Sequence, residues 1–228
     1  MDEPLPVLSA AEIRVLGSLI EKQVTTPDNY PLSLNALTNA CNQLSSRDPV
    51  VSYDEQTVVR ALDRLRDKRL AIVYNGADSR VARYKHAFPE AVPVSPAELA
   101  LLCVLMLRGP QTVGELRSRS ERLHIFESLP AVEDTLNGLA TRQPPLVTKL
   151  PRQTGTKESR FVHLLAGPFD PAAATASDLP AASSASAPTA PAPSAPDRIE
   201  QLETQIAALQ QELANLKRDF ASFRQQFE

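Results

Sequence analysis

The side chains that usually do chemistry are present here but not in working patterns. The three histidines, His86, His124 and His163, lie far apart, and none stands at a metal-ligand spacing. His86 and His163 occupy matching places in an internal repeat described below, which points to a structural role. Cys41 and Cys103 fit neither a zinc nor a disulfide spacing. Each sits in an apolar helical pattern and is expected as a buried thiol of a reducing compartment. No glycine-rich phosphate loop and no nucleophile elbow occurs. Glu21 and Lys22 stand next to an unusual two-proline loop, but a solvated helix end explains them. The expectation is a non-enzymatic protein with no cofactor and no metal.

What remains are amide and cationic side chains at helical spacing, which is recognition chemistry. Gln56, Arg60, Asp63 and Asp67 form one stripe, with Arg64 and Lys68 beside it. Arginine and glutamine read base edges, whereas the two aspartates repel phosphate. Asn35, Asn39, Asn42 and Gln43 follow one another at i, i+4, i+7 and i+8, a polar stripe opposite Leu34, Leu37, Cys41 and Leu44. Such amides bond bases, phosphates or a partner's backbone, or else they cap the loop before them. Arg117, Arg119 and Arg122 cluster on a further segment, either as phosphate contacts or as a solvated face paired with Glu115 and Glu121. Two hairpins carry Arg80 and Arg83, and Arg152, Lys157 and Arg160. Hairpin cations touch phosphates in many complexes, although hairpin tips are also simply polar. Glu133, Asp134 and Asn137, outward on a later helix, make a poor surface for DNA.

The elements that position these residues come in a repeat. Ser9-Ala10-Ala11-Glu12 and Ser95-Pro96-Ala97-Glu98 are both capping boxes, each opening an apolar helical run. A middle helix follows in each unit, Ser33–Gln43 and a run from the Thr112 box to about Leu123. A third helix comes next, capped through Ser52-Tyr53-Asp54-Glu55 in one unit and started by Pro130 in the other. Then two strands are expected in each: Ala71–Tyr74 with Val81–His86, and Leu146–Leu150 with Ser159–Leu165, both joined by glycine-bearing turns. Helix, helix, helix, hairpin is the order of a winged helix-turn-helix. The chain is therefore expected to be α+β and mainly α, with tandem winged-helix domains at 7–90 and 93–167. The two-proline stretch EKQVTTPDNYPLSLN joins the first two helices as a stiff corner. Its Tyr30 is expected against the core and its Tyr30-Pro31 bond is expected trans.

Residues 168–196 are mostly Ala, Pro, Ser and Thr and cannot bury a core, so they are expected to form a disordered linker. From 197 to 228 the pattern changes. Ile199, Leu202, Ile206, Leu209, Leu213, Leu216, Phe220, Phe223 and Phe227 alternate spacings of 3 and 4, a heptad seam. That register sets Glu212 against Lys217 and Asp219 against Arg224 of a parallel partner, although the three phenylalanines are unusual in a dimer. Self-association through a coiled coil is expected; the alternative is an amphipathic helix folded back on its own domains. Net charge is −3, divided as −1 over residues 1–90, +2 over 91–167 and −4 over 168–228. The tail carries the acidity, and no global basic field draws in nucleic acid. The N-terminal stretch MDEPLPVLSA lacks an apolar core for export, and no apolar run is long enough to span a bilayer. A cytoplasmic protein with no membrane association is expected.

The segments LIEKQVTTPDNYPLSLNALTNACNQLSSRDPV and LRGPQTVGELRSRSERLHIF resemble signature segments of the YceH family of bacterial proteins, to which no activity is assigned. The resemblance covers residues 8–166 and implies two winged-helix domains; it implies no reaction and no ligand. The linker and the heptads lie outside it and are expected to be lineage-specific. Functionally the sequence favours a DNA-binding regulator, with recognition by the first unit. The alternative is a scaffold whose winged helices hold a partner protein, which the acidic third helix of the second unit favours.

Overall fold

A computed structural model describes residues 6–74, 81–152 and 158–168. The first helix, α1 (Ala10–Thr25), starts where Ser9 and Glu12 close the expected capping box: the Ser9 amide donates to Glu12 Oε2 at 2.6 Å and the Glu12 amide to Ser9 Oγ. Its residues Glu12 to Ile20 are all buried, because other elements cover it on opposite sides. A 3-10 turn (Pro27–Asn29) and a two-residue strand, β1 (Leu32–Ser33), lead to α2 (Leu34–Cys41), capped by Ser33. Then come α3 (Glu55–Asp67), β2 (Ala71–Tyr74), β3 (Arg83–His86) and a single turn, α4 (Phe88–Ala91).

The same order starts again with α5 (Pro96–Arg108), whose Ser95–Glu98 box is complete, and α6 (Val113–Ser120), whose Thr112–Glu115 box is complete. It continues through α7 (Leu129–Thr141), β4 (Val147–Lys149) and β5 (Phe161–His163). The described residues thus make a mixed, mainly helical protein with seven α-helices and two small antiparallel sheets.

Several boundaries differ from expectation, each for a local reason. The cap of α3 is Asp54, which accepts from the Thr57 amide at 2.8 Å, and not Ser52. Asn42 holds both backbone groups of Tyr53, accepting from its amide and donating to its carbonyl, each at 2.8 Å. That clamp keeps the chain extended through Tyr53, so the helix begins only after Asp54. The middle helices are shorter than expected, and Leu44, placed among the apolar residues of the first, lies beyond its end and is 84% exposed. The returning strands are confined to Arg83–His86 and Phe161–His163. The Tyr30-Pro31 bond is cis, not trans; proline brings the two isomers within about 1 kcal/mol, so local packing decides. Tyr30 packs against the core as expected, and its hydroxyl accepts the His86 amide at 2.8 Å.

The first sheet has the order β1-β3-β2, with Ala71 opposite His86 and Leu32 opposite Tyr84. In the second half the place of β1 is reduced to one bridge, Gln111 to Phe161, made by amide–carbonyl bonds of 3.0 and 2.7 Å. One apolar core runs through both repeats. It includes Leu16, Leu19, Leu37, Leu62 and Phe88 with Leu101, Leu105, Leu116, Leu136 and Leu139, all with 1% exposure or less. Each such side chain contributes about 1.5–3 kcal/mol by leaving water. The seam between the halves is the α1–α5 contact. It is close because residue 17 is glycine: a Cβ there would lie 3.0 Å from Leu107 Cδ2 and 3.2 Å from Met106 Cβ. Backbone bonds from Leu8 to the Leu165 carbonyl and from Asp48 to the Leu107 carbonyl, 2.8 and 2.9 Å, add to the seam.

Candidate nucleic-acid interface

The outward face of α3 is the least committed of the sequence candidates. Val58, Ala61, Leu62 and Leu65 turn inward, which leaves Gln56, Arg60, Asp63, Arg64 and Asp67 exposed. Arg60 donates only to Thr57 Oγ1, at 3.3 Å, and Arg64 has no hydrogen-bond or ion-pair partner among the described residues. Asp63 is paired with Arg66 at 2.9 Å, which halves the acidic repulsion expected of this stripe. Arg66 is a cation of the same face that the helical spacing alone did not single out. Lys68 faces elsewhere. Its Nζ donates to Glu12 Oε1 at 2.5 Å and to the Val7 carbonyl at 2.9 Å. Burial pushes the Glu12 carboxyl up, but the bonds from Lys68 and Ser9 outweigh it and hold the group below the usual range.

On α2 the amide stripe is divided. Asn35 and Asn39 are exposed and bonded to each other at 3.0 Å. Asn42 is consumed by Tyr53, and Gln43 is half-buried past the helix end. The capping explanation therefore holds for Asn42, while Asn35 and Asn39 stay available. In the first hairpin, Arg83 donates to the Pro31 carbonyl at 2.9 Å and so braces the two-proline corner. Arg80 lies outside the described residues.

The second half spends most of its cations internally. Arg117 donates to the carbonyls of Phe126 and Glu127, the latter at 3.2 Å, and closes the loop before α7. Arg119 bonds Gln111 Oε1 and pairs with Glu115 at 3.4 Å. Arg160 pairs with the same Glu115 at 3.1 Å and donates to the Pro110 carbonyl at 2.8 Å. For Arg119 the Glu115 pairing expected as the alternative is present; Arg122, exposed, has no partner among the described residues. Lys157 falls outside those residues, as does the whole heptad seam from Ile199 to Phe227. On α7 Glu133, Asp134 and Asn137 are exposed.

A buried polar knot fixes how α2 and α3 are presented. The Arg47 side chain, 0% exposed, donates to Glu21 Oε1 and Oε2 at 3.1 and 2.6 Å. It also donates to the Ala40 carbonyl at 3.1 and 2.8 Å, which closes the C-terminal end of α2. Arg14 reaches the Pro49 carbonyl in the same connection. Neither residue stood out in the sequence, because each acts through partners far along the chain. Both thiols are free and buried as expected; burial pushes Cys41 up to about 11 and Cys103 further. His86 and His163 end equivalent strands, and burial takes both down to about 4. Each has an Nδ1 without a partner, and His86 Nε2 is bonded to Gln23 Oε1. Among the described residues no group of three or more His, Cys, Asp or Glu side chains could hold a metal ion, and no helix is long and apolar enough to cross a membrane.

These elements define a mainly helical α+β protein whose exposed recognition-type side chains concentrate on α2 and α3. The chain belongs to the family described as "Protein of unknown function, DUF480", which it matches over residues 8–156. It is 60% identical to a UPF0502 protein of Opitutus terrae over 209 residues, 91% of this chain and 85% of that one. It is 51% identical to a UPF0502 protein of Geobacter sulfurreducens over 223 residues, 97% and 99% of the two chains. A UPF0502 protein of Geotalea uraniireducens is 51% identical over 221 residues. The YceH-type resemblance thus holds at family level. The expectation of a lineage-specific tail does not. Alignments over 97% of this chain leave too few unmatched residues to exclude 168–228, so the tail is shared with these relatives.

Proposed function

We propose that this protein is a non-enzymatic, cytoplasmic, DNA-binding protein of the transcription-regulator type, built from tandem winged helices and self-associating through the heptads at 199–227. The observation that carries the reading is the face of α3. It is the third helix of a helix–helix–helix–hairpin order, and it keeps Gln56, Arg60 and Arg64 exposed while Val58, Ala61, Leu62 and Leu65 turn inward. Third helices of helix-turn-helix proteins enter the major groove, and arginine and glutamine are the residues that read base edges there. Asn35 and Asn39 add exposed amides from α2, and Arg80 of the hairpin is assigned to phosphate, while Arg83 is engaged by the Pro31 carbonyl.

A second reading, a scaffold for a partner protein, draws support from the second half. There Glu133 and Asp134 of α7 are exposed, as are Ile125 before that helix and Leu129 at its start, at 77% and 44%. Salt separates the two. Three phosphate contacts weaken DNA binding about 40-fold between roughly 50 and 200 mM salt, because condensed counterions are released. Fluorescence anisotropy with a pool of genomic fragments at those two concentrations measures this directly. Absence of binding at the lower salt would exclude the DNA reading.

A further inference from the structure

Behind the seam, a cleft of about 40 Å³ opens between α1, α5 and the residues that end α6. Its wall includes Glu21, Ser46, Cys103, Arg108, Arg119 and Arg122. One water needs roughly 10–15 Å³ of such space, so the cleft takes about three waters or one tetrahedral oxyanion, and nothing the size of a nucleoside. Two of the acids near it are already used. Glu21 has both oxygens bonded by Arg47, with Lys22 at 3.7 Å. Glu115 is shared between Arg119 and Arg160. Arg108 and Arg122 have no ion-pair partner among the described residues, although the Glu21 and Asp48 carboxylates act on Arg108 at longer range; with three arginines and one glutamate in its wall, the opening is net cationic. Burial first, then the neighbouring Arg119 and Arg47, push the Arg108 guanidinium below its usual range, against the opposing pull of Glu21 and Asp48.

Hydrogen-bonding capacity is left over as well. Arg108 gives one donor to Ser46 Oγ at 2.7 Å, which frees the Ser46 hydroxyl hydrogen and the rest of the guanidinium. Ser46 itself is held at φ 60°, a left-handed conformation that disfavours a non-glycine residue. Guanidinium forks match tetrahedral oxyanions and are the usual choice for them.

We propose that this cleft binds a phosphate group through Arg108, Arg119 and Arg122, with the Ser46 hydroxyl as a further donor. The site is independent of the α3 face. Its phosphate comes either from a small molecule or from a nucleic-acid backbone.

The test is thermal unfolding of the full chain in inorganic phosphate against chloride at matched ionic strength. Phosphate stabilises proteins generally by exclusion from their surface, so the decisive quantity is the difference between wild type and Arg122→Gln. Arg122 is exposed and unpaired, so Arg122→Gln still folds, and the phosphate response of each protein is read against its own melting temperature in chloride. The expected result is a saturable rise in wild type, weakened about tenfold or more in apparent affinity by Arg122→Gln and partly restored by Arg122→Lys. The Arg60→Ala/Arg64→Ala variant keeps the full response, which separates this site from the α3 face. Competition with a labelled duplex oligonucleotide distinguishes the sources. Mutual displacement assigns the phosphate to nucleic acid, and simultaneous binding assigns it to a small molecule. A rise that does not saturate, or that is equal in wild type and Arg122→Gln, overturns the proposal.

Discussion

Replacing Arg47, in the connection between α2 and α3, by methionine removes the guanidinium that bonds both carboxylate oxygens of Glu21 and leaves only Lys22 Nζ, 3.7 Å away. The native side chain is fully shielded, and Glu21 is only 14% exposed, so solvent screens the pair little. The substitution leaves a largely buried carboxylate without its two guanidinium bonds. It also strips the Ala40 and Ser46 carbonyls of their side-chain donor. Removing one partner of a buried ion pair costs about 3–5 kcal/mol, most of it the penalty of the orphaned charge. Urea denaturation at neutral pH, followed by far-UV circular dichroism, measures it. The expected loss is about 4 kcal/mol for Arg47→Met. In a Glu21→Gln background the same change costs about 2 kcal/mol less, since no charge is then stranded. A loss under about 1 kcal/mol, or equal losses in both backgrounds, would show that Arg47 does not neutralise a buried charge at Glu21.

Three further outcomes are expected. His86 is neutral in the fold and titrates near 4, against about 6.5 unfolded, so the unfolded state binds the extra proton between those values. Stability is therefore complete above pH 6.5 and falls by roughly 1.4 kcal/mol per pH unit for this histidine as pH drops toward 4. His86→Gln flattens that slope in denaturation series between pH 5 and 6.5, a window above the one in which Glu12 is protonated. Gly17→Val places a branched side chain where a Cβ already meets Leu107 at 3.0 Å; it lowers stability by about 1–3 kcal/mol, read by thermal unfolding. Cys41 and Cys103 stay silent to a thiol reagent in the native protein and react together only in denaturant, as their burial and raised pKa require. Slow native labelling of either would show the core opening locally.

The sequence was most legible where structure is local. The capping boxes at Ser9, Ser95 and Thr112 close within four residues, and all three formed as read. The inward faces of α3 and α7 follow from periodicity alone. What escaped was set by distant partners. Ser52 looked as good a cap as Asp54 until Asn42 clamped Tyr53. β1 exists because two residues happen to lie along β3, which no propensity signals. Arg83 and Arg117 resembled phosphate contacts in sequence yet serve the carbonyls of Pro31, Phe126 and Glu127. The cleft at Arg108 draws its walls from residues about a hundred positions apart, so its charge excess appears only after folding.

The measurement that bears most directly on the DNA-binding proposal is anisotropy of a genomic fragment pool titrated with wild type and with Arg60→Ala/Arg64→Ala. Both side chains are exposed and make no ion pair among the described residues, so the variant is expected to fold and melt like wild type. Wild type is expected to bind with steep salt dependence. The variant is expected to lose about tenfold or more in affinity and to show a slope shallower by about one to two phosphate contacts. Equal affinity and equal slope for the two proteins would contradict recognition by α3.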